Sequence, residues 1–544
     1  MKKVKNMIPL FKVFMAEDVP EKVSKILMSG YIGQGPVVDE FEELLKSYFG
    51  HDWLVTTNAA TSAEHLALHM LRKPTKIMEM NHSGDGAVVH KWDGIKTDDE
   101  VLCTPLTCTA TNWPVLANKL KIKWVDVDPK TLNMDLDDLA RKITKKTKII
   151  YLVHWGGYPV DLDRVKEIQD KTEHLLGFRP MVIEDCAHSI GSQWKNKPLG
   201  NHGNICTFSL QAIKHVTAID GGILTLPNQD LYHRAKLLRW YGIDRETNKK
   251  DFRCEADVAE WGFKFHMNDV NATVGVGNFK HVDELVNMHI ENAEFYSKEL
   301  DGVPGVTLTQ QNMKHRKSSY WIYSMLVNKK QKFMDKMKEC NIMVTQVHER
   351  NDIHTCVSDY KAHLPNLDKI QKQLICIPNG WWITKEQRKY IVECIKEGYS
   401  TICMAQALKD LGDRSAKVYA HDLFDEYKYR NCPMTKVWDN LNKYGVQDYV
   451  HLKQKSFDRW LNSMEDFDLM HIDISNNGDV IEKVYNRLSQ NKSIKTGPIF
   501  FEGGTQERDK VEWMIEYDKR EMYPLKDKLS YDIVDSRSPG LSVL

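Results

Sequence analysis

Short apolar runs separated by amphipathic segments dominate the chain between about residues 53 and 226. The runs are rich in β-branched and aromatic residues, and helical patterns such as the Ala/Leu-rich segment from Thr61 lie between them. In order they read WLVTT, EVLCTP, IKWVDVD, KIIYLVHW, PMVIED, ICTFSL and GILTLP. Because they lack the apolar–polar alternation of half-exposed strands, they predict an α/β fold, with a mostly parallel sheet covered by helices on both faces.

Polar residues follow several of these runs directly. They include Asn58, Thr61, Thr107, Asp185 and Ser209. Open parallel sheets bind their ligands at the carboxyl ends of the strands. We therefore expect the functional site to lie along this edge of the sheet.

The pattern changes three times along the chain, which predicts three domains at 1–280, 281–400 and 401–544. Residues 73–98 are polar and contain glycine, so we interpret them as a surface insertion in the first domain. The second region mixes helical patterns with β-rich runs such as SSYWIYSMLVN and indicates a smaller α+β domain. The last has its own β-rich runs and reads as a separate α/β appendage: KVYAHDLF, YVHLKQ, FDLMHIDIS and GPIFFEGG.

The composition narrows the choice of partner. The chain has 544 residues, and 75 Lys and Arg balance 75 Asp and Glu, so overall charge favours neither a nucleic acid nor an anionic membrane. No apolar run reaches the roughly 18 residues of a membrane-spanning helix. The eleven cysteines form no C-x-x-C pair and the N-terminus lacks a signal-peptide pattern, so we expect reduced thiols and a cytoplasmic location.

The stretch FSLQAIKH, residues 208–215, places a lone cation, Lys214, between a β-rich run and the Gly-containing turn HVTAIDGG. A lysine amine that is partly desolvated in such a place becomes neutral and nucleophilic, as an imine-forming lysine must be. The alternative is a lysine whose amine reaches solvent from an apolar patch, which is the usual fate of a single lysine.

Two further features point to the same chemistry. Asp185 ends a buried run and is followed by His188, and a carboxylate there suits the ring nitrogen of pyridoxal phosphate, which it keeps protonated. Thr61 and Ser62 begin a helix, where free N–H groups and the helix dipole favour a phosphate, and Ser209 adds a donor. The alternatives are an acidic strand end with a satisfied histidine, and an ordinary helix N-cap.

Over about residues 7–400, a series of sequence motifs occurs in the same order as in a known protein family. They are SGYIGQGPVVDEFE, NAATSAEHLAL, TPLTCTATNWPVL, VDVDPKTLNMD, VHWGGYPVDLD, IEDCAHSIGSQWKNKPLG, FSLQAIKHVTAIDGG, WGFKFHMNDVNATVG and IPNGWWIT. Together they resemble the DegT/DnrJ/EryC1/StrS family of fold-type I, pyridoxal phosphate-dependent sugar aminotransferases.

The resemblance implies roles for individual residues. Lys214 forms the imine with the cofactor, Asp185 pairs with its ring nitrogen, and His188 lies near its phenolic oxygen. The phosphate is held by Thr61, Ser62 and Ser209, and, in a homodimer with shared sites, by Lys264 of the neighbouring subunit. Cys108 stands where relatives place an aromatic residue that stacks on the ring, so stacking by this residue is not expected.

The resemblance also implies the substrates. L-Glutamate donates nitrogen, and the acceptor is a nucleotide-linked 4-keto-6-deoxyhexose, although some relatives act at C3 of the sugar. A dehydratase branch of the family carries histidine in place of the imine-forming lysine, so Lys214 favours transamination. In QVHERND, His348 and Arg350 are candidate sugar contacts, and no metal site is predicted.

The appendage resembles the later strands of a class I S-adenosylmethionine-dependent methyltransferase. Its first strand and glycine loop would fall on YIVECIKEGYSTICMAQAL, where Glu393 and Gly398 fit but Ile395 replaces a usual glycine. The same residues also suit the final helix of the aminotransferase. Two alternatives to a simple aminotransferase therefore stay open: a bifunctional aminotransferase-methyltransferase, and a non-catalytic cofactor-binding regulator or scaffold.

Overall fold

The structure is a computed structural model, and the residues it describes fall into two compact units. It describes residues 6–80, 87–245, 257–303, 305–396, 417–422, 437–438, 441–442, 446–472, 478–490, 499–502, 531–533 and 541–543. The larger unit comprises Val4–Ser297 and Leu308–Ile391, and the other contains Lys298–Thr307 and Val392–Leu544.

Helices and strands alternate along most of the chain. The helices are α1 Val19–Ser29, α2 Pro36–Phe49, α3 Ala60–Met70, α4 Thr109–Ala117, α5 Leu136–Lys142, α6 Leu162–Leu176, α7 Gln229–Leu238, α8 Asp269–Phe279, α9 Val282–Leu300, α10 Lys330–Glu339, α11 Pro365–Ile370, α12 Lys385–Lys396, α13 Phe457–Asn462 and α14 Gly478–Gln490. The strands up to residue 377 are β1 Leu54–Thr57, β2 Thr75–Met80, β3 Ala87–Trp92, β4 Glu100–Cys103, β5 Lys121–Trp124, β6 Thr147–Val153, β7 Met181–Asp185, β8 Gln193–Trp194, β9 Lys197–Pro198, β10 Ile205–Ser209, β11 Gly222–Thr225, β12 Val306–Leu308, β13 Arg316–Lys317, β14 Tyr323–Val327 and β15 Leu374–Ile377. The later strands are β16 Val418–Asp422, β17 Val450–Gln454, β18 Met470–Ile472, β19 Ile499–Glu502, β20 Tyr531–Ile533 and β21 Leu541–Val543.

A seven-stranded sheet with the order β1-β11-β10-β7-β6-β4-β5 forms the centre of the larger unit. Each predicted apolar run became one of its strands. Only β11 runs antiparallel to its neighbours, whereas the β10–β7, β7–β6, β6–β4 and β4–β5 pairs are parallel. The carboxyl ends of β10, β7, β6 and β4 therefore meet at one edge, as the sequence predicts.

Both faces of the sheet are buried, which explains why the runs do not alternate. Along β6, Ile149 and Tyr151 point into one apolar layer, which α3, α4 and α7 complete. Ile150 and Leu152 point into the opposite layer, which α2, α6 and α8 complete. With two apolar neighbourhoods of this size, the sheet is a rigid base for the residues at its edge.

Residues 73–98, which we interpreted from the sequence as a surface insertion, contain two β-strands. Strands β2 and β3 form an antiparallel hairpin with Thr75 opposite Trp92. The Trp92 indole is buried and donates to the Leu71 carbonyl over 2.8 Å, which ties the hairpin to the end of α3.

Residues 385–396 form one continuous helix, α12. Glu393 and Ile395 lie within it, so Glu393 does not end a methyltransferase strand, and Gly398 lies outside the described residues. Beyond it, β16 and β17 pair in parallel, and β18 and β19 do the same. Parallel pairs of this kind are typical of an α/β unit.

Among the helices that the structure describes, none is both long enough and apolar enough to cross a bilayer.

Candidate active site

Lys214 lies in the loop that joins β10 to β11, at the predicted edge of the sheet. Ser209 and Gly222 are paired at the base of this loop. The amine of Lys214 lies 3.7 Å from the centre of the Trp321 ring, and the Trp321 indole donates to the Ile213 carbonyl over 2.8 Å. Desolvation lowers the pKa of Lys214 to about 8, although the nearby Asp185 carboxylate acts in the opposite direction. The amine is therefore partly neutral near neutral pH, as a nucleophile requires.

Asp185 ends β7, the strand next to β10, and its carboxylate is buried with 5% exposure. Its Oδ2 accepts from the Thr111 hydroxyl over 2.6 Å, and its Oδ1 accepts from the Ala187 N–H over 2.9 Å. These two donors fix the position of the carboxylate at the end of the strand. The structure thus brings a fixed anion and a desolvated amine into one pocket, which is the arrangement that the sequence predicts.

Histidines and Trp321 form an aromatic wall next to Lys214. The His188 ring stacks on Trp321 at 4.0 Å, and the His348 ring lies parallel to that of His188 at 5.6 Å. Burial and, secondarily, Lys214 lower the pKa of His348 to about 3 and lower the pKa of His188 as well. Both imidazoles are neutral at physiological pH, so they supply hydrogen-bonding groups to the pocket without adding charge.

The phosphate-binding segment is the start of α3. The N-cap residue is Ala59, whose side chain makes no capping hydrogen bond, and the Thr61 side chain is exposed. A helix start of this kind offers its first N–H groups and its positive dipole end to an anion. Ser62 follows in the first turn, and Ser209 ends β10.

Lys264 lies beside this segment within its own chain. Its carbonyl accepts from the Asn58 side-chain amide over 3.3 Å, and the Asn58 N–H donates to the Phe265 carbonyl over 2.7 Å. The Lys264 side chain itself is exposed.

The remaining predicted residues divide into two groups. Cys108 immediately precedes α4, where its carbonyl accepts from the Asn351 amide over 3.2 Å, and its charge state influences Lys214. Arg350 does not present a free guanidinium, because two carboxylates hold it: Asp352 at 2.6 Å and Asp368 at 2.5 Å. These ion pairs raise the pKa of Arg350, and they give it a role in fixing the loop that carries His348.

A buried cluster behind Asp185 supports the strand ends. His154, Glu184 and Cys186 lie close enough to hold a metal ion, but both nitrogens of the histidine are engaged. Its Nε2 lies 2.7 Å from a Glu184 oxygen, and its Nδ1 accepts from the Val160 N–H over 3.0 Å. We interpret the cluster as a structural support for β6 and β7.

Two residues of the pocket were missed from the sequence. Trp321 comes from a β-rich run more than a hundred positions after Lys214, and only the tertiary fold brings them together. Glu64 lies on α3 with 1% exposure and acts electrostatically on Lys214. A signal for Glu64 did exist, because Ala60, Ala63 and Ala67 mark the apolar stripe of the helix and Glu64 interrupts it.

The residues present fit pyridoxal phosphate. The amine can bond to its aldehyde, the buried carboxylate can pair with its ring nitrogen, and the uncapped helix start can take its phosphate. A model of the DegT/DnrJ/EryC1/StrS aminotransferase family matches residues 14–396. The chain belongs to this family. A separate methyltransferase-domain model matches residues 395–501, in line with the predicted resemblance of the appendage.

Relatives of this aminotransferase extend the finding. AtS13 from Actinomadura melliaura is 46% identical, with 73% of this chain and 100% of that chain covered and a TM-score of 0.67. The sugar aminotransferase CalS13 from Micromonospora echinospora is 42% identical, with 72% and 100% covered and a TM-score of 0.66. The UDP-4-amino-4-deoxy-L-arabinose–oxoglutarate aminotransferase of Shewanella sediminis is 29% identical, with 68% and 92% covered.

Membership of the family confirms the fold class, the aminotransferase activity and pyridoxal phosphate as the cofactor. The matches to solved relatives span their full length but under three-quarters of this chain. The appendage is therefore additional to the part that these relatives share.

Proposed function

We propose that the protein transfers an amino group from L-glutamate to a nucleotide-linked 4-keto-6-deoxyhexose, which makes an amino sugar for glycan biosynthesis. The observation that carries the proposal is a desolvated Lys214 amine within the electrostatic influence of the buried Asp185 carboxylate, at the same edge of the sheet. The name of the Shewanella relative, which specifies a UDP-linked 4-amino sugar and oxoglutarate, supports a 4-keto acceptor and glutamate as donor.

Bound pyridoxal phosphate supplies an aldehyde and an electron-accepting ring. Lys214 would bond to that aldehyde and, once released, its Nζ would move the proton between the substrate carbon and the cofactor carbon, since a pKa of about 8 leaves roughly a tenth of the amine unprotonated at pH 7. Asp185 holds the proton of the ring nitrogen, and Thr111 and Ala187 orient it. Trp321, at 3.7 Å, excludes water from one side of the amine.

Different residues are candidates for binding the cofactor and for binding the sugar substrate. We assign the phosphate to Thr61, Ser62 and Ser209, and the phenolic oxygen of the cofactor to His188. The buried Nε2 of His348 has no partner among the described residues, which makes it a hydrogen-bonding group for the sugar. Arg350 acts on the sugar through the loop that it fixes.

The active protein would be a homodimer in which Lys264 serves the phosphate site of the partner. An exposed ammonium group suits a phosphate at least as well as a neutral amide does. Within one chain we assign residues 1–280 and 281–400 to the two aminotransferase domains and 401–544 to the appendage. The enzyme acts on a soluble substrate, and we expect it in the cytoplasm.

A second candidate function rests on the methyltransferase-domain match over residues 395–501. If the chain is bifunctional, the full-length protein binds S-adenosylmethionine in a calorimetric titration. If no heat of binding is measured at millimolar ligand, the appendage has a role other than methyl transfer.

The main test follows the colour of the bound cofactor. The purified protein should be yellow, lose the colour with L-glutamate, and regain it when a keto-sugar nucleotide is added. Lys214→Ala should abolish turnover, whereas Lys171→Ala, which removes an exposed lysine from α6, should leave it unchanged. Turnover by Lys214→Ala would remove the assigned base, and cofactor binding without transfer to any keto-sugar would favour a regulator or scaffold.

A further inference from the structure

The amine of Lys214 lies over the ring of Trp321. Its Nζ is 3.7 Å from the ring centre, well inside the roughly 6 Å within which an indole face attracts a cation. Trp321 is 1% exposed, and a desolvated contact of this kind is stronger than one at the surface. Phe11 and His188 stack on the same indole at 5.1 and 4.0 Å and so fix its plane. The contact therefore favours the ammonium form of the amine.

Hydrogen bonds on both sides of Lys214 tie its loop to the segment that carries Trp321. The Trp321 indole donates to the Ile213 carbonyl over 2.8 Å. The His215 Nε2 donates to the Ser319 carbonyl over 2.9 Å, since a carbonyl can only accept. Because the two residues that flank Lys214 are both held by this segment, the amine and the ring keep a fixed relation to each other.

The residue before Trp321 has a strained backbone. Tyr320 has a φ of +47°, in the left-handed region that bulky side chains rarely adopt. Its carbonyl accepts from the Asn379 amide over 2.6 Å and from the His289 Nδ1 over 3.1 Å, and all three residues are buried. Strain of this kind persists only where the surroundings dictate it, and it is common at functional sites. The direction of the Trp321 ring is thus set by a buried network.

The titratable groups around Lys214 differ from the ring in what they do. Burial lowers the pKa of the amine to about 8, and the charges of Asp185, Cys108 and Glu64 raise it. Burial also lowers the pKa of each histidine on which Lys214 acts, so these rings are neutral at physiological pH: His188, His215 and His348. Trp321 is in direct contact with the amine, and its attraction for a cation offsets part of the effect of burial.

We propose that Trp321 is a catalytic residue of the transamination, whose indole face holds Lys214 as an ammonium whenever the amine is not bonded to the cofactor. This inference rests on the proposed function, which takes Lys214 as the imine-forming lysine and the proton carrier. Lys214 becomes an ammonium when it accepts the proton from the substrate carbon, so the ring stabilises a charge that forms during the reaction. Tyr320, His289 and Asn379 are positioning residues that direct the ring.

The first test measures the protonation of Lys214 in the cofactor-free full-length protein. Trace acetic anhydride labels neutral amines, and mass spectrometry of the digested protein gives the labelling of each lysine against pH, with the exposed Lys171 as internal reference. Trp321→Leu should lower the midpoint of the Lys214 curve by about 0.4 to 1.5 pH units. At a given pH the ratio of neutral to protonated amine then rises roughly two- to thirtyfold.

Two further variants separate the aromatic face from the packing. Trp321→Phe keeps a weaker aromatic face, so its midpoint should lie between those of Trp321→Leu and the wild type, and it serves if Trp321→Leu does not fold. Trp53→Leu is the matched control, because Trp53 packs on Tyr232 just before β1, at the opposite edge of the sheet. It should leave the Lys214 midpoint unchanged.

The catalytic role has its own readout in the cofactor-loaded protein. At saturating L-glutamate, the loss of yellow colour should be slower in Trp321→Leu by up to the same two- to thirtyfold factor, since a base that holds a proton less firmly removes it less readily. Trp321→Phe should be slowed less. A shifted midpoint with an unchanged rate would overturn the catalytic role.

The second test concerns the positioning residues. His289→Ala removes a donor to the Tyr320 carbonyl and should lower the Lys214 midpoint by less than Trp321→Leu does, whereas His289→Asn keeps a donor and should restore it. If His289 acts through the ring, the double variant His289→Ala/Trp321→Leu should match Trp321→Leu alone. Additive shifts would overturn the positioning role.

The outcomes separate this inference from the proposed function. An unchanged or raised midpoint in both Trp321 variants would show that the indole only keeps water from the amine, and would overturn the inference alone. Borohydride reduction of the cofactor-loaded wild type should attach the cofactor to Lys214. Attachment to another lysine would instead remove the proposed function on which the inference depends.

Discussion

The titratable side chains of the pocket differ from one another in charge. Two donors hold the Asp185 carboxylate in place, whereas burial lowers the pKa values of Lys214, His188 and His348. Groups whose environments push their protonation states apart are what proton-transfer chemistry requires. The pocket therefore combines one carboxylate, one amine that can gain or lose a proton near neutral pH, and neutral imidazoles.

Asp185→Asn should lower kcat by on the order of 10²-fold, because it keeps the acceptor for the Ala187 N–H but removes the charge that holds the ring-nitrogen proton. Steady-state rates with saturating glutamate and keto-sugar nucleotide would measure the loss. Asp135→Asn is the control, since Asp135 is a helix cap that asparagine replaces well. A kcat within twofold of wild type would contradict the role given to Asp185.

Sequence reasoning could find the residues whose positions depend on local order. Lys214 and Asp185 follow strands, and the strand ends are visible in the sequence. Arg350 looked equally available, yet Asp368 on α11 pairs with it, and no local pattern shows that contact. Trp321 was missed for the same reason, because its place next to Lys214 depends on how distant elements pack.

At the scale of elements, the start of α3 has an alanine as its N-cap and, like the starts of α2 and α4, no capping side chain. Most helices of this unit with a capping side chain use Asp or Asn, as Asp161 does for α6 and Asn268 does for α8. A helix start without such a cap is less stable by about 1 kcal/mol. It also keeps its N–H groups available for an anion.

Ala59→Asp should stabilise α3 but lower the affinity for the cofactor. The new carboxylate would cap α3, but it would compete with the phosphate for the same N–H groups and repel it, so we expect the affinity for pyridoxal phosphate to fall by roughly tenfold or more. Ala59→Ser provides a cap without the charge and should have a smaller effect. Fluorescence titration of the cofactor-free variants measures both, and unchanged affinity in Ala59→Asp would place the phosphate elsewhere.

The elements themselves were largely predictable, because seven apolar runs flanked by helical patterns admit few arrangements other than a covered parallel sheet. The β2–β3 hairpin was not, because charged and polar residues are interspersed among the apolar residues of its strands, which pair with each other outside the central sheet. The segment YIVECIKEGYSTICMAQAL suited either a helix or a strand, and its described part, residues 390–396, belongs to α12.

At the scale of the whole molecule, the solved relatives account for less than three-quarters of the chain, and residues 395–501 match a methyltransferase-domain model. Exposed apolar side chains gather near the start of the larger unit, including Met28 at 86% and Tyr31 at 84% exposure. Large exposed apolar residues close together in sequence are typical of a subunit interface. They support the proposed dimer.

Mixed dimers test whether Lys264 acts on its own subunit or on the partner. Lys264→Glu and Lys214→Ala homodimers should both be impaired, and refolding the two together should restore activity if the lysine acts across the interface. Half of the sites in each mixed dimer then combine an intact Lys214 with the intact Lys264 of the partner. The backbone of Lys264 lies beside Asn58 of its own chain, and an absence of rescue would mean that the lysine acts there.

The loop that carries Lys214 is closed at its base by the Ser209–Gly222 pair and braced inside by hydrogen bonds from Ala218 and Thr217 to the Leu210 carbonyl. This bracing fixes the base of the loop, so the reach of the amine is set mainly by the length of the lysine side chain. Both carbons that exchange a proton must come within that reach. Discrimination between small and large ketones must then come from the side chains that surround the Lys214 amine.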